Sequence, residues 1–216
     1  MPRSRLLIWS VMARILIPKD VGQTIRVCHL RHLIALRVVS YATLNFLKGN
    51  EEGHCLWMEC IKRASALTHA HDRSVMGCYI YGYCLSFLLK EATRESLIAG
   101  IKFAAEDLDY LPEFEHYRRI FDPNFEKIAI DDIKSTGYVV DTLEAALWCV
   151  LTTNNYRDCV LKAVNLGDDT DTVAAVAGGL AGALYGYDAI PKEWLDTLKR
   201  RDYIEKTCER ASASWN

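Results

Sequence analysis

Hydrophobic side chains recur at the spacing of an α-helix through most of the chain. Residues 74–90 (SVMGCYIYGYCLSFLLK) are apolar nearly all round, which is typical of a central buried helix. The segment 113–135 is polar and contains Pro123, so we expect a long loop there with one short helix at most. Further helices are predicted over 93–108, 138–151, 156–166, 170–185, 192–200 and 202–212. The side chains expected to face the core from the first three of these are Leu97, Ile101, Ala104, Leu108, Val140, Leu143, Ala146, Leu147, Val150, Val160, Ala163 and Val164.

The fold class follows from what the pattern contains and what it lacks. No stretch shows a convincing alternation of apolar and polar residues, and there is no internal repeat or low-complexity linker. We therefore predict an all-α protein. A length of 216 residues with 50% apolar side chains suits a single globular domain over residues 1–216.

Charge and hydropathy exclude two classes of partner. A net charge of −2 argues against a general nucleic-acid binder. Residues 1–37 carry seven basic side chains and one acidic one, a bias typical of a disordered tail or a solvated helix face. No apolar run reaches the roughly 18–20 residues that a membrane span needs, so no membrane partner is predicted.

Two features indicate the compartment. The first 18 residues (MPRSRLLIWSVMARILIP) superficially resemble a targeting segment, but Arg14 interrupts the apolar stretch and no small-x-small cleavage site follows. The eight cysteines form no C-x-x-C pair, and Cys78, Cys149 and Cys159 lie within apolar helical runs. We predict reduced thiols in a cytoplasmic protein.

An unusual concentration of oxygen ligands precedes the predicted helix 170–185. Residues 165–172 (NLGDDTDT) place three carboxylates and two hydroxyls within five positions. Helix capping explains one or two of these acids, because the first turn of a helix favours negative charge. Three acids repel one another unless a cation compensates them, and carboxylate and hydroxyl oxygens suit Mg²⁺ or Ca²⁺. Asp169, Asp171 and Thr172 are therefore candidate metal ligands.

The helix after this motif contains three interior glycines. Gly178, Gly179 and Gly182 each cost about 1 kcal/mol relative to alanine in a helix. We expect another helix or a ligand to approach this helix closely.

Two shorter segments carry further candidates. In residues 68–72 (THAHD), His69 and His71 are two positions apart and do not share a helix face, so they are not expected to bind one metal. Taken alone, each histidine is typical of a buried, hydrogen-bonded side chain. In residues 135–138 (STGY), glycine followed by tyrosine suggests a backbone close to a ligand and a ring stacked on a base.

With these segments, the chain resembles the ADP-ribosylglycohydrolases. Residues 67–74, 135–151 and 165–186 carry the resemblance in the family's order, and it covers residues 64–194, with residues 1–63 divergent. The resemblance implies a compact multi-helix orthogonal bundle. It also implies Mg²⁺-dependent hydrolysis of the N- or O-glycosidic bond of ADP-ribosylated protein side chains, with release of ADP-ribose.

The resemblance also implies roles for individual residues. Asp169, Asp171 and Thr172 would be ligands of a binuclear Mg²⁺ centre, and Asp168 stands where many members have glycine. The implied contacts to ADP-ribose are His69, Thr136, Gly137 and Tyr138, with Ser10 added from a faint likeness to a phosphate-contacting segment. By contrast, Asp141 and Glu144 are expected to serve helix capping and solvent-side charge.

Some family features are not found in the 216 residues. The family's G-D-x-x-G and S/T-D-D-T segments are absent, and the Asp131-Asp132 pair lacks the flanking threonine and is expected to be exposed. We therefore expect one Mg²⁺ ion rather than two, impaired hydrolysis, and no catalytic acid or base assignable from the sequence. The alternatives are an inactive ADP-ribose-binding or scaffold protein, and an HD-type phosphohydrolase using His71, Asp72 and His54.

Overall fold

The computed structural model describes residues 51–213 of the chain. Within this range it contains eight α-helices and four short 3₁₀ helices, and no β-strand. The α-helices are α1 (Glu51–Ala66), α2 (Asp72–Lys90), α3 (Arg94–Leu108), α4 (Val139–Leu151), α5 (Tyr156–Val164), α6 (Thr170–Tyr185), α7 (Lys192–Thr197) and α8 (Arg201–Ala213). The 3₁₀ helices are Pro112–Phe121, Phe125–Lys127, Ile130–Asp132 and Tyr187–Ala189. The all-α prediction is confirmed.

Helix α2 is the centre of the described fold. It packs against α1, α3, α4 and α6 and against the 3₁₀ helix Pro112–Phe121. Its side chains are buried on all sides between Val75 and Leu89, with few breaks. A helix surrounded in this way has no solvent face, and this explains the nearly continuous apolar run in its sequence. The predicted central buried helix is confirmed.

The predicted inward-facing positions are buried with one exception. Thr93 caps α3 by accepting a hydrogen bond from the Ser96 backbone N–H, and the four expected core positions that follow are buried. The prediction for Val164 is wrong, since this side chain is 39% exposed. The reason is that α5 ends at Val164, two residues earlier than expected, and its last turn leaves the core.

The polar segment 113–135 is more ordered than expected. Three 3₁₀ helices occupy much of it, so the prediction of a loop with one short helix at most is wrong. The 3₁₀ helix has three residues per turn, and Phe114, Tyr117 and Ile120 follow that spacing. Tyr117 and Ile120 are buried, and the Tyr117 hydroxyl donates a hydrogen bond to the Arg73 carbonyl at 2.7 Å. The three-residue spacing of these apolar side chains was therefore a helical signal within a segment that is otherwise polar.

Glu144 was expected to face solvent, and this prediction is wrong. The residue is only 7% exposed because α4 packs against α2, α5 and α6 and against Pro112–Phe121. Its Oε1 lies 3.3 Å from Nη1 of Arg119. Burial raises the pKa of the Glu144 carboxyl, and Arg119 offsets part of that effect.

The shifted pKa of Glu144 predicts a pH dependence of stability. Because its pKa is higher in the folded state than in the unfolded state, Glu144 favours folding at low pH. This contribution is lost as the pH rises from the ordinary glutamate value of about 4.3 through the folded-state pKa. Glu144→Gln should remove that part of the dependence and leave stability near neutral pH within about 1 kcal/mol. Urea unfolding of both proteins across a pH series measures this, and parallel pH curves would contradict it.

Burial governs the protonation of several cysteine thiols in the described part of the chain. The six cysteines whose side chains the structure describes are free thiols: Cys55, Cys60, Cys78, Cys84, Cys149 and Cys159. Burial raises the pKa of Cys84, Cys149 and Cys159 to about 12, so these thiols stay protonated near neutral pH. Among the described residues, no helix is both long enough and apolar enough to cross a membrane.

Candidate functional site

Two loops that are distant in sequence meet at the N-terminal ends of α4 and α6. The backbone N–H of Asp169 donates a hydrogen bond to the Ser135 carbonyl at 3.0 Å. The Ser135 hydroxyl is buried and donates to the Gly167 carbonyl, also at 3.0 Å. These two bonds place residues 135–138 directly beside residues 167–172. We call this pair of segments the two-loop site.

The turn before α6 depends on unusual backbone conformations. Gly167 and Asp168 have φ angles of +95° and +52°, in the left-handed region. Aspartate is one of the few residues other than glycine that adopt this conformation readily. The turn directs the Asp169 N–H toward Ser135 and leaves Asp168 exposed.

The Asp169 carboxylate lies at the centre of the two-loop site. Its Oδ1 accepts a hydrogen bond from the Thr172 hydroxyl at 2.9 Å, and Thr172 is buried. Its Oδ2 faces Gly137 so closely that a Cβ atom on that glycine would lie 2.9 Å away. Asp171 is half-buried in the same first turn of α6. The three predicted metal ligands therefore lie within four residues at one helix terminus.

The donor set of this turn suits a hard divalent cation. Mg²⁺ is commonly held by one or two carboxylates, with waters and substrate phosphates completing its shell. Two aspartates and a threonine hydroxyl match the protein part of such a shell. No group of three or more His, Cys, Asp or Glu side chains that could hold a metal ion occurs within residues 51–213. Metal binding at Asp169, Asp171 and Thr172 stays a prediction.

The segment 135–138 is held by its own polar side chains. The Thr136 hydroxyl donates to Asp141 Oδ2 at 2.6 Å and accepts from the Tyr138 N–H at 3.2 Å. The Thr142 hydroxyl donates to the Thr136 carbonyl at 3.1 Å. Asp141 thus lies in the first turn of α4 and braces the loop through the Thr136 hydroxyl. Its expected capping role is not confirmed, because no side chain among the described residues caps the N-terminus of α4 by a hydrogen bond. Gly137 and Tyr138 remain exposed beside Asp169.

An arginine that the sequence analysis did not single out connects Tyr138 to the rest of the fold. Arg73 Nη1 donates to the Tyr138 hydroxyl at 2.9 Å, and its Nε donates to Glu113 Oε2 at 2.6 Å. Its Nη2 donates to His116 Nε2 at 2.7 Å. The hydrogen bond to Glu113 raises the pKa of Arg73. The only sequence signal was its position, immediately after the THAHD segment.

Comparison with known proteins identifies the family. The family model described as ADP-ribosylglycohydrolase matches residues 34–216, a longer stretch than the motifs mark. The chain belongs to the ADP-ribosylglycohydrolase family. A solved structure titled "ADP-ribosylglycohydrolase-related protein complex" aligns with a TM-score of 0.67 and 22% sequence identity, covering 95% of this chain and 94% of that one. This likeness shows that the fold is the fold of the family.

Relatives in the family carry more specific names. The chain is 39% identical to an ADP-ribosylarginine hydrolase Tri1 of Serratia proteamaculans (strain 568) over 68% of its own length. It is 34% identical to an ADP-ribosyl-[dinitrogen reductase] glycohydrolase of Rhodospirillum rubrum over 67% of its length. These matches span 38% and 43% of the two relatives.

Three of the five predicted substrate-binding residues belong to the two-loop site, and the other two do not. Thr136, Gly137 and Tyr138 form one side of it. His69 is half-buried in the turn between α1 and α2, where its backbone carbonyl accepts from the Ser65 hydroxyl at 2.9 Å. Ser10 lies outside the described residues. Contact of any of these residues with ADP-ribose stays a prediction.

His71 and His54 have structural partners that differ from those of a phosphohydrolase site. His71 is exposed, and its Nδ1 accepts from the Arg73 N–H at 3.1 Å, so it caps α2. His54 Nε2 lies 2.6 Å from the Tyr83 hydroxyl, which donates to Asp107 at 2.5 Å. The family match therefore replaces the HD-type alternative. Asp131 and Asp132 are both exposed, as expected.

Gly137→Ala is expected to damage the site without unfolding the protein. Its new Cβ would lie 2.9 Å from Asp169 Oδ2, which is too close for a carbon atom, so the carboxylate has to move. Gly137 is exposed and outside a helix, so the free energy of unfolding should change by less than about 0.5 kcal/mol. Mg²⁺ affinity, measured by calorimetry, should fall at least about 10-fold. Unchanged Mg²⁺ affinity would contradict the prediction, because it would show that the position of the Asp169 carboxylate beside Gly137 does not govern ion binding.

Proposed function

We propose that the chain hydrolyses the N-glycosidic bond between ADP-ribose and an arginine side chain of a protein. The proposed site is the two-loop site, with ADP-ribose and one Mg²⁺ bound between its segments. The observation that carries the proposal is the pair of hydrogen bonds linking Ser135 to Asp169 and Gly167. They join the two motifs of the family into one surface. The names of the relatives support arginine as the modified side chain.

The carboxylates explain why a cation is needed. ADP-ribose carries a diphosphate, and Asp169 and Asp171 would repel it in the absence of a positive charge. Asp169, Asp171 and the Thr172 hydroxyl would hold Mg²⁺ through oxygen atoms. A bound Mg²⁺ would orient the ribose hydroxyls and would lower the pKa of a bound water that can attack the ribose carbon. We therefore expect both binding and turnover to require the metal.

The other segment of the site would recognise the nucleoside. Tyr138 is 42% exposed, and its ring can stack on a purine base. Gly137 leaves room beside Asp169 because it has no side chain. The hydrogen bonds of Thr136 to Asp141 and to the Tyr138 N–H fix the loop before a ligand arrives, which lowers the entropy cost of binding.

Turnover of a defined substrate tests the proposal. The full chain is incubated with a protein ADP-ribosylated on arginine, and with one modified on serine, in Mg²⁺ or in EDTA. Released ADP-ribose is quantified by chromatography. We expect release from the arginine substrate in Mg²⁺ and none in EDTA. Binding of ADP-ribose without release would contradict hydrolysis and favour the alternative, an inactive ADP-ribose-binding protein.

A further inference from the structure

We infer that Arg73 is a positioning residue that holds the Tyr138 ring in place for stacking on the base of ADP-ribose. This inference rests on the proposed function and extends the site beyond the two loops. It assigns to α2 and to the 3₁₀ helix Pro112–Phe121 a part in ligand recognition. None of the residues involved is a predicted metal ligand.

The Arg73 guanidinium joins three separate segments of the chain. It leaves the first turn of α2 and donates to Glu113 and His116 on the 3₁₀ helix and to Tyr138 before α4. The backbone of Arg73 is fixed as well, since its carbonyl accepts from the buried Tyr117 hydroxyl at 2.7 Å and its N–H donates to His71. A group held at both ends in this way is a rigid support for an exposed tyrosine.

The geometry leaves the tyrosine ring available to a ligand. Arg73 contacts Tyr138 through the phenol hydroxyl, while the guanidinium carbon lies 5.9 Å from the ring centroid. This distance is at the outer limit, about 6 Å, for a cation acting on an aromatic face. The interaction between Arg73 and Tyr138 is therefore mainly the hydrogen bond to the phenol hydroxyl, rather than a contact between the cation and the ring face. Such a bond fixes the position of the hydroxyl and so restricts the swing of the side chain about χ1, without covering the ring.

The three hydrogen bonds made by the side chain at position 73 require arginine rather than another basic residue. Arginine presents several N–H donors in a rigid planar fork, whereas lysine presents one compact ammonium on a flexible stem. One guanidinium serves Glu113, His116 and Tyr138 through three different nitrogen atoms. Lysine keeps the charge beside Glu113 but cannot reach all three partners in this geometry. Arg73→Lys therefore isolates the positioning role from the charge.

The expected effect is moderate and specific to ligand affinity. Ordering one flexible side chain on binding costs a factor of about 2 to 10 in affinity. In Arg73→Lys and in Tyr138→Phe the ring loses its restraint, so each variant should bind ADP-ribose about 2- to 10-fold more weakly. The KM for the arginine substrate should rise by the same factor, with kcat unchanged, because the reacting bond is untouched.

A double-mutant cycle tests the inference. Calorimetry with ADP-ribose in Mg²⁺ compares the unaltered protein, Arg73→Lys, Tyr138→Phe and the double variant. The matched control is Arg118→Lys on the 3₁₀ helix Pro112–Phe121, where Arg118 donates to the exposed Glu115. We expect the double variant to bind no more weakly than Tyr138→Phe alone, and the control to bind normally. Tyr138→Phe keeps the ring and tests the inference even where Arg73→Lys fails to fold.

The outcomes separate this inference from the proposed function. If the unaltered protein fails to bind ADP-ribose, the proposed function falls and the inference falls with it. If the unaltered protein binds and Tyr138→Phe binds equally well, the inference alone is overturned. Additive losses in the double variant would also overturn it, because Arg73 would then act independently of the Tyr138 hydroxyl.

Discussion

Asp169→Asn will weaken Mg²⁺ binding at least about 10-fold and abolish Mg²⁺-dependent turnover. The substitution keeps the shape of the side chain and an oxygen that can accept from the Thr172 hydroxyl, but it removes the negative charge. The helix terminus already favours anions, so loss of one of its acids should change the free energy of unfolding by no more than about 1 kcal/mol. Calorimetric Mg²⁺ titration and urea unfolding measure the two effects separately.

Asp168→Asn is the matched control for this experiment. It removes the same charge one residue away, from an exposed side chain in the left-handed region, where asparagine is well tolerated. We expect a smaller loss of Mg²⁺ affinity than in Asp169→Asn, because the exposed Asp168 carboxylate acts on the ion through water of high dielectric constant. Equal losses in both variants would mean that net charge, rather than ligation by Asp169, governs the affinity.

Gly179→Ala will destabilise the fold although alanine favours helix formation. A Cβ on Gly179 would overlap the hydroxyl of Tyr81, a buried residue of α2, so the contact between α2 and α6 has to open. Overpacking of this kind typically costs about 1–3 kcal/mol, whereas the gain in helix propensity is about 1 kcal/mol. The steric cost outweighs the gain, so urea unfolding should show a net loss of stability, and a variant more stable than the unaltered protein would contradict the prediction.

Tyr81→Phe provides the internal control for the Gly179 prediction. Removing the hydroxyl opens the space that the new Cβ needs. Gly179→Ala should therefore cost less in the Tyr81→Phe background than in the unaltered protein, by about 1 kcal/mol or more. A cost that is the same in both backgrounds would contradict a steric origin. The result bears on the fold alone and is independent of ligand binding.

Local signals in the sequence were sufficient to predict helix α6 and its acidic start. The predicted range 170–185 agrees with the observed Thr170–Tyr185, because a cluster of acids precedes an uninterrupted apolar run. The glycines in that run correctly indicated a close approach, which the structure shows at Gly179. Which group approaches could not be predicted, since Tyr81 is far away in sequence and reaches α6 only through packing.

The geometry of the candidate site could be predicted only in part. The family resemblance indicated that residues 135–138 and 167–172 belong to one site, but the hydrogen bonds of Ser135 depend on how α4 and α6 pack. Arg73 was missed because its partners lie 40, 43 and 65 positions later in the chain. Glu144 was misjudged for a related reason, because burial on all faces of α4 arises from tertiary packing rather than from local periodicity.

The central claim is that the two-loop site binds ADP-ribose through Mg²⁺. Titration of the full chain with ADP-ribose by calorimetry, in Mg²⁺ and in EDTA, tests it most directly. We expect one ADP-ribose bound per chain in Mg²⁺, and an affinity at least about 10-fold weaker in EDTA because the aspartates then repel the diphosphate. Equal affinity in Mg²⁺ and EDTA, or no binding in either, would contradict it.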